Sequence, residues 1–517
     1  MTYEYQPFAY VTPPGLNAPE PKHPVVIVGA GPIGLGMALE LANHGVRSVV
    51  LDDNNVVSIG SRAICWSKRS LEILDRLGVG QRALDKGVTW RVGRTFHGEV
   101  EVLNFNLLPE DGHKMPAFVN LQQYYVEQFL VEKCNDNPLV DVRFKNTVVG
   151  LTQGAAPSVQ IDTPDGRYTL QADYILACDG AKSPIRQMMG LDFDGELFEE
   201  RFLIADIEMV ADFPAERRFW FEPTFHPGQS ALLHKQPDNI YRIDLQLGWD
   251  ADPEVERRPE VVMPRIAKVV GHSDFRLNWV SVYTFQCRRL AKFVHDQVIF
   301  VGDSAHVVSP FGARGGNGGL QDVDNLGWKL AAVLRGDAGN GLLDSYDRER
   351  TFGADENITN STRATKFMTP SDGVERLFRD QILRLAGKAA FARPMVNSGR
   401  LSHPCVYPCP AAPDDQRLPK ISMPGSVAPD APLENGWLID ALGQAVIIMA
   451  VGTVAPAVAG TKTLTLAVTD KLQARYLGQV DQAVYLIRPD QVVAARWVDP
   501  SEDDITAAIR QIWNGEL

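Results

Sequence analysis

The residues Gly29 to Gly34, GAGPIG, have the glycine spacing of a loop that holds phosphate groups. They follow the apolar run VVIV and open the helical pattern GLGMALELANHG. In such a turn the first glycine forms the bend, the second lets backbone approach a pyrophosphate, and the third lets helix pack on strand. The helix N-terminus adds free N–H groups and about half a positive charge. Asp52 ends the next apolar run, where a carboxylate would bind a ribose hydroxyl. The pattern predicts a dinucleotide site and leaves NAD and FAD both open.

Two further aspartates end apolar runs that are typical of parallel strands. Asp179-Gly180 follows DYILAC and is itself followed by Ser183 and Arg186, and Gly302-Asp303 follows VIFV. An aspartate at the carboxyl end of a parallel strand lies where such sheets bind ligands. Taken singly, each dipeptide is better explained as a simple strand-end turn. Their order along the chain favours a shared ligand site.

The segment after Asp303, SAHVVSPFGARGGNGGLQD, is rich in glycine and leads into a helical pattern. Glycine loses more backbone entropy on folding than any other residue. We therefore expect this loop to bring its backbone close to a ligand.

Composition limits the kind of protein that carries these motifs. At 517 residues the chain is long enough for two or three domains. Its hydrophobic content of 45% and charged content of 22% are typical of a soluble globular protein. The net charge of −13 argues against a nucleic-acid partner. Cys405 and Cys409 have no histidine nearby, so free thiols are expected rather than a metal or redox pair.

The sequence pattern divides the chain into five parts. Residues 24–195 alternate apolar runs with helical periodicity, which predicts a parallel α/β sheet. Residues 196–285 are rich in alternating and aromatic segments, which predicts a mostly antiparallel sheet. The α/β pattern returns over 286–400, a proline-rich linker covers 401–433, and a small third domain covers 434–517.

Taken together, the motifs resemble the single-component (class A) FAD-dependent aromatic hydroxylases of the p-hydroxybenzoate-hydroxylase fold. The resemblance extends to SRAICWSKRSLEIL and NLQQYYVEQFL and covers essentially residues 24–365. In motif wording it is closest to 3-(3-hydroxyphenyl)propionate hydroxylase and the phenol-hydroxylase branch. It implies an α/β fold: a Rossmann-type FAD-binding domain, an inserted, mostly antiparallel β substrate-binding domain over 196–285, and a thioredoxin-like α/β domain over 434–517.

The resemblance implies FAD as the cofactor and assigns residues to it. Contacts to the pyrophosphate and ribose are expected from Gly29, Gly31, Pro32, Gly34 and Asp52, and contacts along the FAD chain from Arg62 and Gln123. Asp179 and Gly180 would shape the channel near cofactor and NAD(P)H, Gly302 and Asp303 would bind the ribitol, and Pro310, Gly315 and Asn317 would lie near the flavin ring. The family more often has Glu at position 52 and Gly-Gln at Ala313-Arg314.

The implied activity is hydroxylation of a phenolic or other electron-rich aromatic ring, in aromatic catabolism. NADH or NADPH would reduce the FAD, and O2 would add to give a flavin C4a-hydroperoxide. The substrate would be a small aromatic compound, and the protein is expected to be a cytoplasmic homodimer without nucleic acid, membrane or metal. The first 24 residues carry no apolar signal segment, and 445–460 is too short and too interrupted to cross a membrane.

No residue is assigned a catalytic role from the sequence. His226, His234 and Tyr241 fall in the substrate-binding part, where hydrogen-bonded structural roles are expected of them. The pair Arg217-Arg218 is expected to be a solvated charge pair.

Two alternatives stay open. One is a different flavin oxidoreductase of the same fold, although the WxWxIP segment of flavin halogenases is absent. The other is an FAD-binding scaffold or regulatory protein, in which the last domain binds a partner. For the hydroxylase, the last domain is expected to support dimerisation or a substrate gate.

Overall fold

A mixed sheet forms the centre of the α/β part of the molecule. The structure is a computed structural model that describes residues 3–248, 250–370, 373–396, 401, 403–459 and 461–516, without the side chains of 197–200. The strands of this sheet are β1 (His23–Val28), β2 (Ser48–Asp52), β8 (Val140–Phe144), β9 (Thr147–Thr152), β10 (Ser158–Thr163), β11 (Gly166–Ala177), β17 (Val294–His295) and β18 (Val298–Phe300). Their order is β17-β18-β11-β1-β2-β8, with β10 and β9 paired beyond β11.

The parallel pairs of this sheet bring the predicted motifs to one edge. Strand β1 is parallel to β2 and β11, and β11 is parallel to β18. Because parallel strands share a direction, Gly29, Asp52, Asp179 and Gly302 all follow carboxyl ends that meet there. The strands are nearly continuous apolar runs because helices cover both faces of such a sheet.

The helices of the first part surround this sheet. They are α1 (Pro32–Asn43), α2 (Lys68–Arg76), α3 (Gly80–Lys86), α4 (Gln123–Asn135), α5 (Pro184–Met188), α8 (Gly315–Arg335), α9 (Gly341–Met368), α10 (Val374–Ala386) and α11 (Arg393–Val396). Helix α1 packs between α8 and α4, and α8 packs along α9. A three-stranded sheet of β3 (Cys65–Ser67), β7 (Phe118–Asn120) and β4 (Val88–Trp90) lies beside α2 and α8.

The second large sheet is antiparallel except at one pair of strands. Its strands are β5 (Val92–His97), β6 (Val100–Asn106), β12 (Asp194–Glu208), β13 (Arg217–Phe221), β14 (Ser230–Lys235), β15 (Ile240–Leu247), β16 (Arg276–Arg289) and β19 (His306–Val307). Their order is β19-β16-β12-β15-β14-β13-β5-β6, and only β13 and β5 are parallel. The hairpin of β5 and β6 comes from the first α/β segment, so the sheet includes residues outside the predicted range 196–285.

The two faces of this sheet have different environments. One face packs with helix α7 (Pro259–Val270), which follows the short α6 (Pro253–Glu256), in an apolar core that includes Ile243, Leu245 and Ile266. The other face contributes Phe202 and Phe219 to a cluster that includes Phe311 from the glycine-rich loop. The second face is therefore turned toward the predicted flavin site.

The last domain has a four-stranded sheet and a separate two-stranded one. The strands of the domain are β20 (Pro432–Leu433), β21 (Gly436–Trp437), β22 (Ile447–Val451), β23 (Lys462–Leu466), β24 (Ala483–Ile487) and β25 (Val493–Trp497). The helices of the domain are α12 (Leu438–Leu442), α13 (Asp470–Leu472) and α14 (Glu502–Trp513). The sheet order is β23-β22-β24-β25, and β20 pairs with β21 alone. Trp328 of α8 packs in one apolar core with Ile448 and Ile512 of this domain.

The described residues contain neither a membrane-spanning helix nor a cluster of metal-ligating side chains. None of the described helices is long and apolar enough to cross a membrane. Among the same residues, no group of three or more His, Cys, Asp or Glu side chains is placed to hold a metal ion. All six cysteines are free thiols.

Candidate cofactor site and substrate chamber

The three glycines of the first loop occupy three different environments. Gly29 has a φ of +107°, and a Cβ there would lie 2.5 Å from the carbonyl oxygen of Cys178. A Cβ on Gly34 would lie 1.9 Å from the carbonyl oxygen of Gly29, so helix α1 approaches the turn as closely as backbone allows. At Gly31 a Cβ would have no described atom within 4 Å. The fold therefore requires glycine at 29 and 34, whereas position 31 faces open space beside the α1 N-terminus.

Asp52 lies directly beside this loop. Its Oδ2 accepts a hydrogen bond from the Ala30 N–H at 2.6 Å, and its Oδ1 accepts from the Asn54 N–H at 2.8 Å. Burial raises the pKa of the carboxyl, although the two N–H groups act in the opposite direction. Asp52 therefore orders the phosphate loop as well as standing at the expected ribose position.

Gln123 and Arg62 meet the segment that follows β2. The Gln123 side chain accepts from the Ala63 N–H at 3.0 Å and donates to Glu127 at 2.8 Å. Glu127 in turn accepts from the backbone and hydroxyl of Ser58, at 2.6 and 2.7 Å. The Arg62 side chain is exposed, and its charge opposes the burial that raises the pKa of Asp303. Gln123, the first residue of α4, thus holds the loop that carries Arg62.

Arg186 connects the Asp179-Gly180 motif with the Gly302-Asp303 motif. Its guanidinium donates to the carbonyl of Ala181 at 2.6 Å and to that of Ser304 at 3.0 Å. Ser183 caps α5 by accepting from the Arg186 N–H, and Asp179 accepts from the Ile185 N–H at 3.0 Å. Burial raises the pKa of Asp179. Arg186 and Ser183 are therefore the residues that fix the loop at Asp179-Gly180 against the segment around Asp303.

Asp303 lies just beyond β18, at the sheet edge where the predicted motifs meet, and we call the space in front of it the cleft. Its side chain is exposed, yet the surrounding protein raises the pKa of its carboxyl against the opposing charges of His306 and Arg62. A side chain that is exposed and yet has its pKa raised by burial is expected where the group faces a narrow space enclosed by protein. Gly302 before it has a φ of +67°, and a Cβ there would meet Ile33 at 3.0 Å. The ribitol contact predicted for Asp303 requires this kind of placement.

A buried ionic cluster behind the cleft was not predicted from the sequence. Asp322 accepts from the Gly302 N–H at 2.9 Å, pairs with His306 at 2.7 Å and pairs with Arg350 of α9 at 2.6 Å. These charged partners hold the pKa of Asp322 below its ordinary value. Asp322 ends the quoted GLQD run, but Arg350 carries no motif signal. Only the packing of α9 on α8 brings it there.

The glycine-rich loop is held by Asn317, whose side chain is fully used. Its amide oxygen accepts from the Ser67 N–H at 3.0 Å, and its amide nitrogen donates to the carbonyls of Cys65 at 2.9 Å and Ala313 at 2.5 Å. Helix α8 begins at Gly315 and has no side-chain cap. Its first N–H groups therefore remain available to a ligand at this end.

Two further residues of the loop, Ala313 and Pro310, are placed as follows. Ala313 has a φ of +53°, in the left-handed region that favours glycine. The glycine usual in the family would adopt this conformation without a Cβ penalty of about 1 to 2 kcal/mol. Pro310 is exposed, next to the buried Phe311.

A row of charged side chains crosses the face of the antiparallel sheet that is turned toward this loop. Adjacent strands pair Arg217 with His234, His234 with Arg242, and Arg242 with Asp206. Arg242 and Asp206 form a buried bidentate ion pair at 2.7 and 2.8 Å. Arg217 therefore lies inside the molecule. The expectation of a solvated Arg217-Arg218 pair was wrong for this residue, because strand alternation sends only Arg218 outward, to Glu216.

The row faces Cys65, whose backbone carbonyl is held by Asn317. The Cys65 thiol lies 4.0 Å from Nδ1 of His234 and 3.2 Å from the side-chain oxygen of Asn120. Asp244 lies on the same sheet face as Arg242, two residues further along β15. We call the group of Cys65, Arg217, His234 and Asp244 the substrate chamber, because the sequence predicts substrate binding at this sheet. His234 is buried, and the other three residues keep part of their surface exposed.

Two of the three residues singled out in the substrate-binding part, His226 and Tyr241, have hydrogen-bonded structural roles. The His226 ring contacts the carbonyl of Gln246 at 2.7 Å, and the Tyr241 hydroxyl donates to the carbonyl of Ala211 at 2.8 Å. Tyr241 belongs to the core on the opposite face of the sheet. His234 alone lies at the chamber, where burial holds its pKa well below the ordinary value and keeps the ring neutral.

A separate crevice of about 210 Å³ lies between α2 and the last domain, away from the phosphate loop. Its Lys114 is paired with Asp75 and Asp440, both at 2.6 Å, and its Arg76 is paired with Asp324. Since these charges are neutralised by protein partners, we assign the crevice no chemistry.

The glycine loop, the strand-end aspartates and the open α8 N-terminus define a dinucleotide-binding α/β protein. The open space at Gly31 and the cleft position of Asp303 fit a bound FAD. The sequence matches the FAD binding domain family over residues 22–361. The chain belongs to this family, which confirms the resemblance inferred from the motifs.

Three proteins illustrate the similarity. A flavin-dependent monooxygenase of Mycobacteroides abscessus is 31% identical over 464 residues, 84% of this chain and 90% of that protein. A 3-(3-hydroxy-phenyl)propionate/3-hydroxycinnamic acid hydroxylase of Mycolicibacterium smegmatis is 28% identical over 371 residues, 70% of this chain and 64% of that protein, so less than two thirds of its length is matched. The solved structure of the flavin-dependent monooxygenase PieE with FAD and substrate has a TM-score of 0.77 at 22% identity and covers 96% of this chain and 99% of its own. At that identity it shows the fold alone.

Proposed function

We propose that this protein is an FAD-dependent monooxygenase that hydroxylates a phenolic or similarly electron-rich aromatic compound, using NADH or NADPH and O2. The observation that carries the proposal is the position of the substrate chamber. It lies between the FAD motifs and an aromatic-rich sheet face, next to the loop predicted to contact the flavin ring. The names of the relatives, a flavin-dependent monooxygenase and a hydroxylase of phenolic acids, support it.

FAD would be held by the residues that the motifs identify. Gly31 and the α1 N-terminus would contact the pyrophosphate, Asp52 the ribose and Asp303 the ribitol. The N–H groups at Gly315 and Asn317 would meet the pyrimidine edge of the ring, where the positive end of α8 stabilises negative charge by about 0.3 to 2 kcal/mol. Bound FAD would supply electron transfer from NAD(P)H and the activation of O2.

The residues of the chain would position the aromatic substrate and exclude water from it. Phe219 and the Trp90 ring lie close to the polar groups of the chamber, and Trp90 contacts His234 with ring centroids 6.5 Å apart. A flat, apolar ring with a polar substituent fits such walls.

The test is cofactor oxidation by the FAD-loaded protein in air, with a panel of phenols and phenolic acids, NADH or NADPH, and a parallel peroxide assay. We expect at least one compound to accelerate NAD(P)H oxidation while less peroxide forms than NAD(P)H is consumed. If a fully loaded protein responds to no compound, the FAD-binding scaffold becomes the better proposal. If acceleration yields only peroxide, the compound is an effector and a different oxidoreductase activity is favoured.

We further propose that residues 434–517 form a thioredoxin-like domain without redox function. Support comes from the strand order β23-β22-β24-β25, with only β22 and β23 parallel, followed by a final helix. Residues 434–517 contain no cysteine. This domain would act through packing against α8 and α9.

The homodimer is also a proposal. Helix α10 and the turn after it expose Val374, Leu377, Phe378 and Phe391, with 82, 60, 58 and 72% of each residue accessible. Exposed apolar residues grouped in this way favour a protein interface. Sedimentation of the purified protein decides this proposal: a single monomer species at micromolar concentration would contradict it.

A further inference from the structure

Two charged side chains of the substrate chamber have no partner in the folded chain. The carboxylate of Asp244 and the guanidinium of Arg217 make no hydrogen bond and no ion pair within the described residues. The Oδ1 atom of Asp244 and the Nε atom of Arg217 are both buried. Burying a charged group without a partner is costly, so such groups usually serve a ligand or a reaction.

The sheet register places both groups on the face toward the flavin site. Along β15, Ile243 and Leu245 point into the core with α7, so Asp244 points the opposite way, with Arg242. Arg217 lies two strands away, on β13, with β14 between them. The two side chains therefore lie on the same face of the sheet, two strands apart, and do not contact each other.

The neighbouring charges do not satisfy this pair. Arg242 and Asp206 already form a bidentate ion pair with each other. The groups that face Asp244 from the packed elements are Arg242 of β15, Asp206 of β12, Arg217 of β13, His234 of β14 and Cys65 of β3. His234 stays neutral, and burial raises the pKa of the Cys65 thiol to about 12, so it stays protonated. One anion and one cation are thus left for a ligand.

We propose that Asp244 and Arg217 together bind the ring hydroxyl of a neutral phenolic substrate, with Asp244 as the proton acceptor and Arg217 as the group that stabilises the phenolate oxygen. This inference rests on the proposed function and names its substrate class and its base. A hydroxyl can donate to a carboxylate and accept from a guanidinium at once. A substrate carboxylate at this position would be repelled by Asp244.

The proposed proton transfer involves only the substrate hydroxyl, Asp244 and Arg217. The O–H bond of the bound phenol breaks, the proton moves to a carboxylate oxygen of Asp244, and the electron pair of that bond stays on the substrate oxygen as the phenolate. The developing negative charge lies against Arg217. A positioned base of this kind contributes about 10² to 10⁴ in rate.

The pH dependence follows from the burial of Asp244. Burial raises the pKa of its carboxyl to about 6, while Arg242 and Arg217 oppose that rise. Asp244 is therefore the free carboxylate above pH 6 and is protonated below it. We expect phenol-stimulated NAD(P)H oxidation to rise with pH through this value and to be lost as the pH falls.

The test compares Asp244→Asn, Asp244→Glu and Arg217→Gln with the matched surface variant Asp212→Asn, all as FAD-loaded proteins. Asp212 is exposed on the same sheet domain. We expect Asp244→Asn to lower kcat for the best phenol at least 100-fold and to remove the acid limb of the pH profile. Asp244→Glu should restore part of both. Arg217→Gln should raise KM at least tenfold, and Asp212→Asn should change neither constant.

A second readout does not depend on turnover. Bound 4-nitrophenol reports its own ionisation by visible absorption, measured as a difference spectrum against the FAD-loaded protein. We expect Asp244→Asn to lower the pKa of bound 4-nitrophenol and Arg217→Gln to raise it, each by at least one unit. Unchanged values in both variants would overturn the proposal, even if their turnover fell.

The two proposals fail in distinguishable ways. If phenols stimulate the native protein but the variants keep its pH profile and its 4-nitrophenol pKa, the hydroxylase stands and the pair has another role. If no phenol stimulates the native protein, the hydroxylase fails. Opposite shifts of the 4-nitrophenol pKa would then still establish the pair as a phenol-binding site.

Discussion

Single residues in this protein show which positions the fold constrains and which a ligand would constrain. Gly29 and Gly34 are glycine because backbone atoms of the protein itself approach within 2.5 Å of where a Cβ would be. At Gly31 no described atom lies within 4 Å of where a Cβ would be, so the fold does not require glycine there. Ala313 shows the reverse case, a residue with a Cβ in a conformation suited to glycine.

This contrast predicts opposite behaviour for two alanine variants. Gly31→Ala should leave the thermal unfolding of the FAD-free protein within about 0.5 kcal/mol of the native value, because its Cβ meets no protein atom. It should still weaken FAD binding at least tenfold, because the Cβ would take the place of a phosphate oxygen. Gly34→Ala should destabilise the protein itself by about 1 to 3 kcal/mol, through overpacking against Gly29.

Both variants can be measured by calorimetry of the FAD-free protein and by FAD titration. If the Gly31→Ala protein binds FAD with native affinity, the proposed position of the pyrophosphate at Gly31 is wrong.

At the scale of the elements, the cleft is built from loops that are joined by buried charges. Asp322 of α8 fixes Gly302, His306 and Arg350, and Arg186 fixes the Asp179 loop to Ser304. The parallel strands bring these loops to one edge, but the ionic contacts set their spacing.

Asp322→Asn is therefore expected to be strongly destabilising. The change leaves the buried Arg350 without its carboxylate, which costs about 3 to 5 kcal/mol. Urea unfolding measures the loss, and the exposed Asp337→Asn, whose partner is Arg335, is the control expected to change the free energy of unfolding by less than about 1 kcal/mol.

The same residue predicts part of the acid sensitivity. The pKa of Asp322 is lower in the folded state than its ordinary value of about 3.9. Its contribution to stability is therefore complete above that ordinary value and is lost as the pH falls through the folded-state pKa. The difference in unfolding free energy between native protein and Asp322→Asn should shrink below about pH 4. A difference that stays constant down to pH 2 would show that the carboxylate charge is not what matters.

For the whole molecule, the last domain completes the core of the FAD-binding part. Lys329 of α8 and Glu349 of α9 are paired at 3.0 Å, and Arg488 of the last domain binds Glu349 at 2.7 Å and also binds Asp490. Arg69 of α2 donates to the carbonyl of Asp490 at 2.6 Å. The structure therefore assigns the domain a packing role that does not depend on a dimer.

Arg488→Gln tests this ionic contact. Because Asp490 would keep a buried charge without its cation and Glu349 would keep only Lys329, we expect a loss of about 3 to 5 kcal/mol in unfolding free energy. The exposed Arg417→Gln, which loses only its pair with Asp415, should cost less than about 1 kcal/mol. Equal effects of the two variants in urea unfolding would contradict the buried network.

Removal of residues 425–517 should abolish soluble, FAD-loaded protein. The deletion exposes Trp328 and Leu342 along with the charges of Lys329 and Glu349. Soluble yield, bound FAD and melting temperature measure the outcome. A truncated chain with native FAD content and activity would show instead that the domain is dispensable.

The sequence determined the family, the cofactor class and the position of the motifs, because these depend on local spacing. GAGPIG, Asp52, Asp179-Gly180 and Gly302-Asp303 predicted where strands end, and such ends meet in any parallel sheet. The FAD-binding family match confirms that reasoning.

Only the tertiary structure decided which other charged residues surround the site. Arg350 and the pair Asp244 and Arg217 come from distant segments and belong to no short motif. The sequence analysis predicted a solvated Arg217-Arg218 pair. In a strand, however, neighbours point to opposite faces, and only sheet pairing determines which face is buried.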